Sequence, residues 1–146
     1  MGARGSGHSL SGVYALFIHV PFALSIPVGA LGVMNFDPGY YCYIGSALGG
    51  IKQRVARHLR EQKSDHWHID YLLRRSRVVD VVIAETRERQ ECALARRMRT
   101  KFAAIERFGS SDCKCSSHLF YHPELHTLLR GLLGSMKEEG LKPLKV

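Results

Sequence analysis

From Ser6 to Phe36 the chain carries no Asp, Glu, Lys or Arg. This stretch limits the possible folds more than any other feature. A charge-free run of that length is a membrane span, a secretory leader, or strands and turns buried inside a domain. Pro21 and Pro27 interrupt it, Gly29 and Gly32 follow, His19 sits near its centre, and only Arg4 precedes it. A spanning helix tolerates that combination poorly, and a leader needs a basic start. The β-branched and aromatic residues Val13, Tyr14, Phe17, Ile18 and Val20 suit a buried strand. The run therefore reads as two strands, Gly12–Val20 and Ile26–Phe36, with a turn over Pro21–Ser25 and a bulge in the second strand at Gly29 and Gly32. Met1–Leu10 is rich in Gly and Ser, has no apolar period, and reads as a flexible terminus. Met1-Gly2 with Ser6 also fits the N-myristoylation pattern.

Asp37-Pro38-Gly39 is a turn, and Tyr40–Ser46 is a third strand. Short turns imply antiparallel pairing of the three. A helix follows Ala47–Gly50, with Ile51, Val55 and Leu59 as its buried stripe. Asp65–Arg75 reads as a second helix, capped by Asp65 and turning Ile69, Leu72 and Leu73 inward. Arg77–Ala84 is apolar on both faces and reads as a central strand. Leu94, Met98, Phe102 and Ile105 predict a third helix over Glu88–Phe108, ended by Gly109. His118–Tyr121 is a short strand. Pro123–Lys137 is an amphipathic helix built on Leu125, Leu128, Leu129, Leu132 and Leu133. The expected class is α/β in the α+β sense: a small mixed, largely antiparallel sheet flanked by helices. Residues 11–122 form the domain, with 123–146 packed on it.

The net charge of +8 comes from 21 Lys and Arg against 13 Asp and Glu, unevenly placed. Residues 52–107 hold 15 basic and 8 acidic residues, while residues 1–51 sum to zero. A basic block of this kind suits a polyanion or a solvated surface. Lys52, Arg57 and Arg60 on the first helix are candidate nucleic-acid contacts. Four cysteines with no secretory signal imply a reducing, cytoplasmic setting rather than a disulfide framework.

The chemistry centres on Gly12-Val13-Tyr14 in the first strand, Tyr43-Ile44-Gly45 in the third, and Arg54 with His58 in the following helix. Two tyrosine hydroxyls on paired strands can aim at one spot when their faces match. Arg54 and His58, four apart, share a helix face bordered by Arg57. A guanidinium binds phosphate through a planar fork of donors. Phosphodiester hydrolysis needs those parts: an activated water, charge neutralisation and help for the leaving oxygen. The plainer reading makes Tyr14 and Tyr43 sheet aromatics and Arg54 a surface charge.

These segments resemble the GIY-YIG nuclease superfamily. The resemblance is closer still to a GIY-YIG-like prokaryotic and archaeal family, long labelled a domain of unknown function and sometimes fused to a base-excision repair endonuclease. Tyr40–Ala47, Ile51–Leu59 (IKQRVARHL), His66–Leu73 (HWHIDYLL), Glu91-Cys92 and Phe108–Tyr121 carry it. It implies a metal-dependent endonuclease acting on DNA, with a repair setting and repair proteins as partners. It implies Tyr14 as base, Tyr43 as holder of water or phosphate, and Arg54 as phosphate clamp. His58 would donate to phosphate or orient Tyr14. Glu91 would be the ligand of one Mg²⁺ or Mn²⁺, with Glu85 and Glu88 as rivals and Glu88 the expected helix-start residue. An extra strand and turn intervene between Tyr14 and Tyr43, as in the narrower family. The superfamily's C-terminal Asn has no counterpart, Asn35 being the only Asn.

A second group comprises His66, His68, Asp70, Asp112, Cys113, Cys115 and His118, with Ser46 at the end of the third strand as a further candidate cleft residue. His66 and Asp70 share a helical face, and Cys113-x-Cys115-x₂-His118 offers soft ligands close together. Four of these could bind Zn²⁺, although neither spacing is a usual zinc pattern. Buried hydrogen-bond networks with a thiol-containing turn are the simpler account. Lining of the active cleft by His66, His68, Asp112 or His118 is the third. Two functions outside catalysis therefore stand beside the nuclease: a non-catalytic nucleic-acid-binding domain, and a Cys/His metal-binding domain. No membrane association is expected.

Overall fold

A computed structural model describes residues 11–47, 49–60, 67–109 and 115–146. Met1–Leu10 therefore lies outside the described residues, as do His66, Asp112, Cys113 and the expected helix cap Asp65.

The stretch Gly12–Val20 of the uncharged run becomes the centre of the main sheet. Strand β1 (Gly12–Val20) is buried along nearly its whole length. Its alternate residues serve two cores, as the two-residue period of a strand requires. Tyr14, Leu16, Ile18 and Val20 enter one core, and Val13, Ala15 and Phe17 the other. β1 pairs antiparallel with β4 (Gly39–Ala47) on one side and with β5 (Arg77–Glu85) on the other. The sheet is completed by β6 (Ala103–Ala104), β7 (Leu119–His122) and β8 (Leu144–Lys145), in the order β6-β7-β4-β1-β5-β8. Every pairing in it is antiparallel.

Helices cover both faces. On the Tyr14 face lie α1 (Ile51–Leu59) and α2 (His68–Leu73), which contribute Ile51, Val55, Ile69 and Leu72. On the Phe17 face lie α3 (Glu91–Arg99) and α4 (Leu125–Glu138), which contribute Leu94, Ala95, Met98, Leu128, Leu132 and Met136. The expected α+β class and antiparallel sheet are what the chain adopts. No helix among the described residues is long and apolar enough to cross a membrane.

Several boundaries differ from expectation. The second strand is not one bulged strand paired with β1. It is a separate hairpin, β2 (Leu24–Pro27) and β3 (Val33–Phe36), joined by a 3-10 turn at Gly29–Leu31. Gly29 (φ +50) and Gly32 (φ +78) adopt the left-handed backbone that reverses the chain there. The third helix is half the expected length. It ends at Arg99, where Thr100 turns its hydroxyl back to the Arg97 carbonyl at 2.7 Å. Ala103–Ala104 then pairs with β7, and Phe108 crosses to the Tyr14-face core. Helix α3 also starts at Glu91 rather than Glu88, because Glu88 sits in a turn whose N–H donates to the Thr86 hydroxyl. β5 is not central: beyond it lies only the two-residue β8, and its first half alternates between exposed and half-buried. Helix α2 is shorter than Asp65–Arg75.

Candidate functional site

The register of β1 on β4 sets Tyr14 opposite Gly45 and Leu16 opposite Tyr43. Tyr14 and Tyr43 therefore share a face one step apart, and the long connection between their strands does not prevent direct pairing. Both glycines of the two tripeptides have a steric reason. A Cβ at Gly45 would stand 2.3 Å from the Tyr14 hydroxyl, so the missing side chain is the space the phenol occupies. A Cβ at Gly12 would meet the Ala84 carbonyl oxygen at 2.2 Å and Ile51 Cδ1 at 2.5 Å, so Gly12 lets α1 close onto the sheet.

Helix α1 brings His58 to this face. Seven residues make about two helical turns, so His58 aligns with Ile51 better than Leu59 does. His58 is accordingly buried and Leu59 is 51% exposed, which corrects the expected stripe. His58 Nε2 lies 2.7 Å from Tyr14 Oη. Its ring sits 5.4 Å from that of Tyr14, 6.1 Å from Tyr43 and 5.6 Å from Trp67. Burial pushes the Tyr14 phenol well above its ordinary value, and the Arg54 guanidinium pulls partly the other way. Burial raises Tyr43 likewise, with Tyr14 and Asp70 adding to the rise. At neutral pH Tyr14 is thus a phenol. The hydrogen bond then runs from its hydroxyl to an unprotonated Nε2.

Arg54 donates to the Ser46 carbonyl at 3.1 Å and lies over the Trp67 ring, 4.8 Å from its centroid. The Ser46 hydroxyl is buried with no hydrogen-bond partner among the described residues. Arg57 covers the same indole at 4.3 Å and grips Asp70 with a two-pronged fork of 3.0 and 3.2 Å. Asp70 is wholly buried and also accepts the Trp67 backbone N–H at 2.9 Å. The Arg57 guanidinium is therefore engaged inside the fold, whereas Lys52 and Arg60 are exposed. Trp67, which sequence reasoning passed over, is the piece that α1 and α2 are built around. Its being the only Trp, within HWHIDYLL, was the available signal.

Glu91 opens α3 with its side chain 16% exposed, 4.0 Å from Arg89. Its carboxylate acts on both Tyr14 and Tyr43, raising each. Glu88 is exposed, and its carboxylate accepts from Gln90. His68 Nδ1 accepts the Gly109 N–H at 2.9 Å, and burial together with Arg107 lowers its pKa.

Cys115 and His118 are brought to Cys92, a residue that sequence reasoning did not select. The three offer donor atoms all within 4.8 Å of one another. Cys92 Sγ is 3.9 Å from His118 Nε2. A helix start and the lead-in to β7 meet there, a juxtaposition with no linear spacing to reveal it.

Three grooves join along the α1–α2 side. One, about 380 Å³, is lined by Gln53, Arg54, Arg57 and Arg60. The next, about 480 Å³, runs from His58 and Arg60 to Arg74 and Arg77. The third, about 390 Å³, continues past Arg74, Arg75 and Arg77 to His19. Arg60 is shared by the first two, and Arg74 and Arg77 by the last two, so the track is continuous and basic.

No curated protein and no solved structure matches this chain. A family model described as "Domain of unknown function DUF123" matches residues 13–140. That match takes in both tyrosine strands, all four helices and the Cys92, Cys115 and His118 group, and the chain belongs to this family.

Proposed function

We propose that the protein is a metal-dependent nuclease of GIY-YIG type that hydrolyses DNA phosphodiester bonds, with DNA repair as its setting. The observation that carries this reading is the 2.7 Å contact between Tyr14 Oη and His58 Nε2, with the Arg54 guanidinium acting on the same phenol. A tyrosine takes a proton from water only if its own proton has somewhere to go. Here His58 stands as that acceptor. Arg54 offers a fork for a non-bridging phosphate oxygen and favours the phenolate. Tyr43, beside them on the same sheet face, positions water or phosphate.

The Glu91 carboxylate suits a hard divalent ion that keeps most of its water, as Mg²⁺ and Mn²⁺ do. Such an ion, when bound, neutralises charge on the phosphate and favours ionisation of nearby hydroxyls. The basic track supports a nucleic-acid backbone as the ligand, since it runs from Arg54 past His58 toward β5.

The test is Mg²⁺- or Mn²⁺-dependent nicking of supercoiled or branched DNA. Tyr14→Phe and Glu91→Ala should each lower the rate by at least about 100-fold, the scale of general acid–base catalysis. Binding that persists with no cleavage under either ion supports the second reading, a non-catalytic nucleic-acid-binding domain. The missing counterpart of the superfamily's C-terminal Asn favours that alternative.

A further inference from the structure

The geometry points to a Zn²⁺ site formed by Cys92, Cys115 and His118, distinct in chemistry from a hard-ion site at Glu91. Donors of a tetrahedral zinc site with Zn–S of about 2.3 Å stand roughly 3.8 Å apart. Cys92 Sγ and His118 Nε2 are separated by 3.9 Å, and all three donors fall within 4.8 Å. Two thiolates and one imidazole form a soft set that favours zinc over magnesium or calcium. Among the described residues three ligands converge, which leaves one position of a tetrahedral site to be filled from outside this set.

The donors sit on fixed backbone. His118 donates its N–H to the Phe108 carbonyl at 2.8 Å and accepts the Ile44 N–H at 3.0 Å, so it is held between a turn and β4. The Ser117 hydroxyl accepts the Leu119 N–H at 2.9 Å and steadies the approach to β7. Cys92 lies in the first turn of α3, on helical backbone. His118 is buried, and Cys92 and Cys115 are half-buried, so the site is shielded yet within reach of an ion. Zinc there ties the start of α3 to the start of β7. Binding releases the two thiol protons to solvent, and no oxidation or reduction occurs.

The experiment uses the full chain, reduced, stripped with chelator, reloaded with ZnCl₂ and desalted. One zinc per chain is expected by elemental analysis. Cys92→Ser and Cys115→Ser should each fall below about a tenth of that occupancy under the same wash, since loss of a ligand costs more than the 10–100-fold of a lost supporting contact. Cys42→Ala, a buried thiol of β4 outside the group, should retain the metal. A readout on the unmutated protein guards against misfolded variants: zinc should protect Cys92 and Cys115 from alkylation, and chelator should remove the protection. Replacement by Co²⁺ should give an intense thiolate-to-metal absorption band. Zinc-free protein after reloading, zinc retained by both serine variants, or alkylation of Cys92 and Cys115 indifferent to zinc would each overturn the proposal.

Discussion

Tyr14 is the residue on which most arguments meet. Its ring fills space left by Gly45, its hydroxyl meets His58, and its proton affinity is set by burial against Arg54. Tyr14→Phe keeps the ring and removes one hydrogen bond. Chemical denaturation should show a loss of about 1–3 kcal/mol, because His58 is left with a buried, unmet nitrogen. Gly45→Ala should cost a similar about 1–3 kcal/mol by overpacking and displace the Tyr14–His58 pair, which the ring chemical shifts of His58 would report. The pH dependence has two limbs with opposite signs. His68 is depressed below its ordinary 6.5, so the unfolded chain binds the proton more readily. Its contribution is complete above that value and is lost as pH falls through it, weakening the Gly109 N–H to Nδ1 bond. Tyr14, Tyr41 and Tyr43 are raised above their ordinary 10.0, so the folded chain holds their protons longer. Their contribution is complete below that value and is lost as pH rises beyond it. Thermal melts across pH should therefore form a plateau that declines below about 6.5 and above about 10. A plateau that continues flat past either limit would count against the corresponding groups.

At the scale of elements, α1 and α2 share a core and are also joined by a polar clasp. Arg57 holds Asp70, Asp70 holds the start of α2, and Trp67 lies against Arg54 and Arg57. Breaking a buried pair from one side leaves an uncompensated charge. Arg57→Met should therefore cost about 3 kcal/mol because it strands the wholly buried Asp70, and Asp70→Ala less because the arginine left behind is partly exposed. The single tryptophan makes the local effect visible: its emission should shift to the red in Asp70→Ala before global unfolding. An unchanged spectrum would mean that the clasp does not position the indole. Elements also mark where sequence reading succeeded. β1, β4, α1 and α4 were legible because each has a clean period and a turn or glycine at its ends. The end of α3 was not, because Phe102, Ile105 and Phe108 keep helical spacing with no Gly or Pro before Gly109. Tertiary pairing of Ala103–Ala104 with β7 outweighed that local preference. The hairpin β2–β3 was misread because a bulge and a chain reversal use the same glycines.

For the whole molecule, the main sheet places the uncharged β1 near its middle, and Arg54, Arg60, Arg74 and Arg77 line one outer side. Arg74→Glu with Arg77→Glu reverses two charges of that side. DNA affinity should fall, and the slope of log K against log salt should lessen by about 2. An unaltered slope would remove the track as the DNA path. Composition and period by themselves determined the class of fold, the uncharged core strand and the helix that carries Arg54 and His58. Those follow from local rules, since strand alternation and helical pitch act over a few residues. Only the tertiary structure decided that Arg57 is enclosed with Asp70, that His68 serves the Gly109 turn, and that Cys92 joins Cys115 and His118. Each of these pairs residues far apart in the chain, and which distant side chains meet is set by how the sheet brings its two helical layers together.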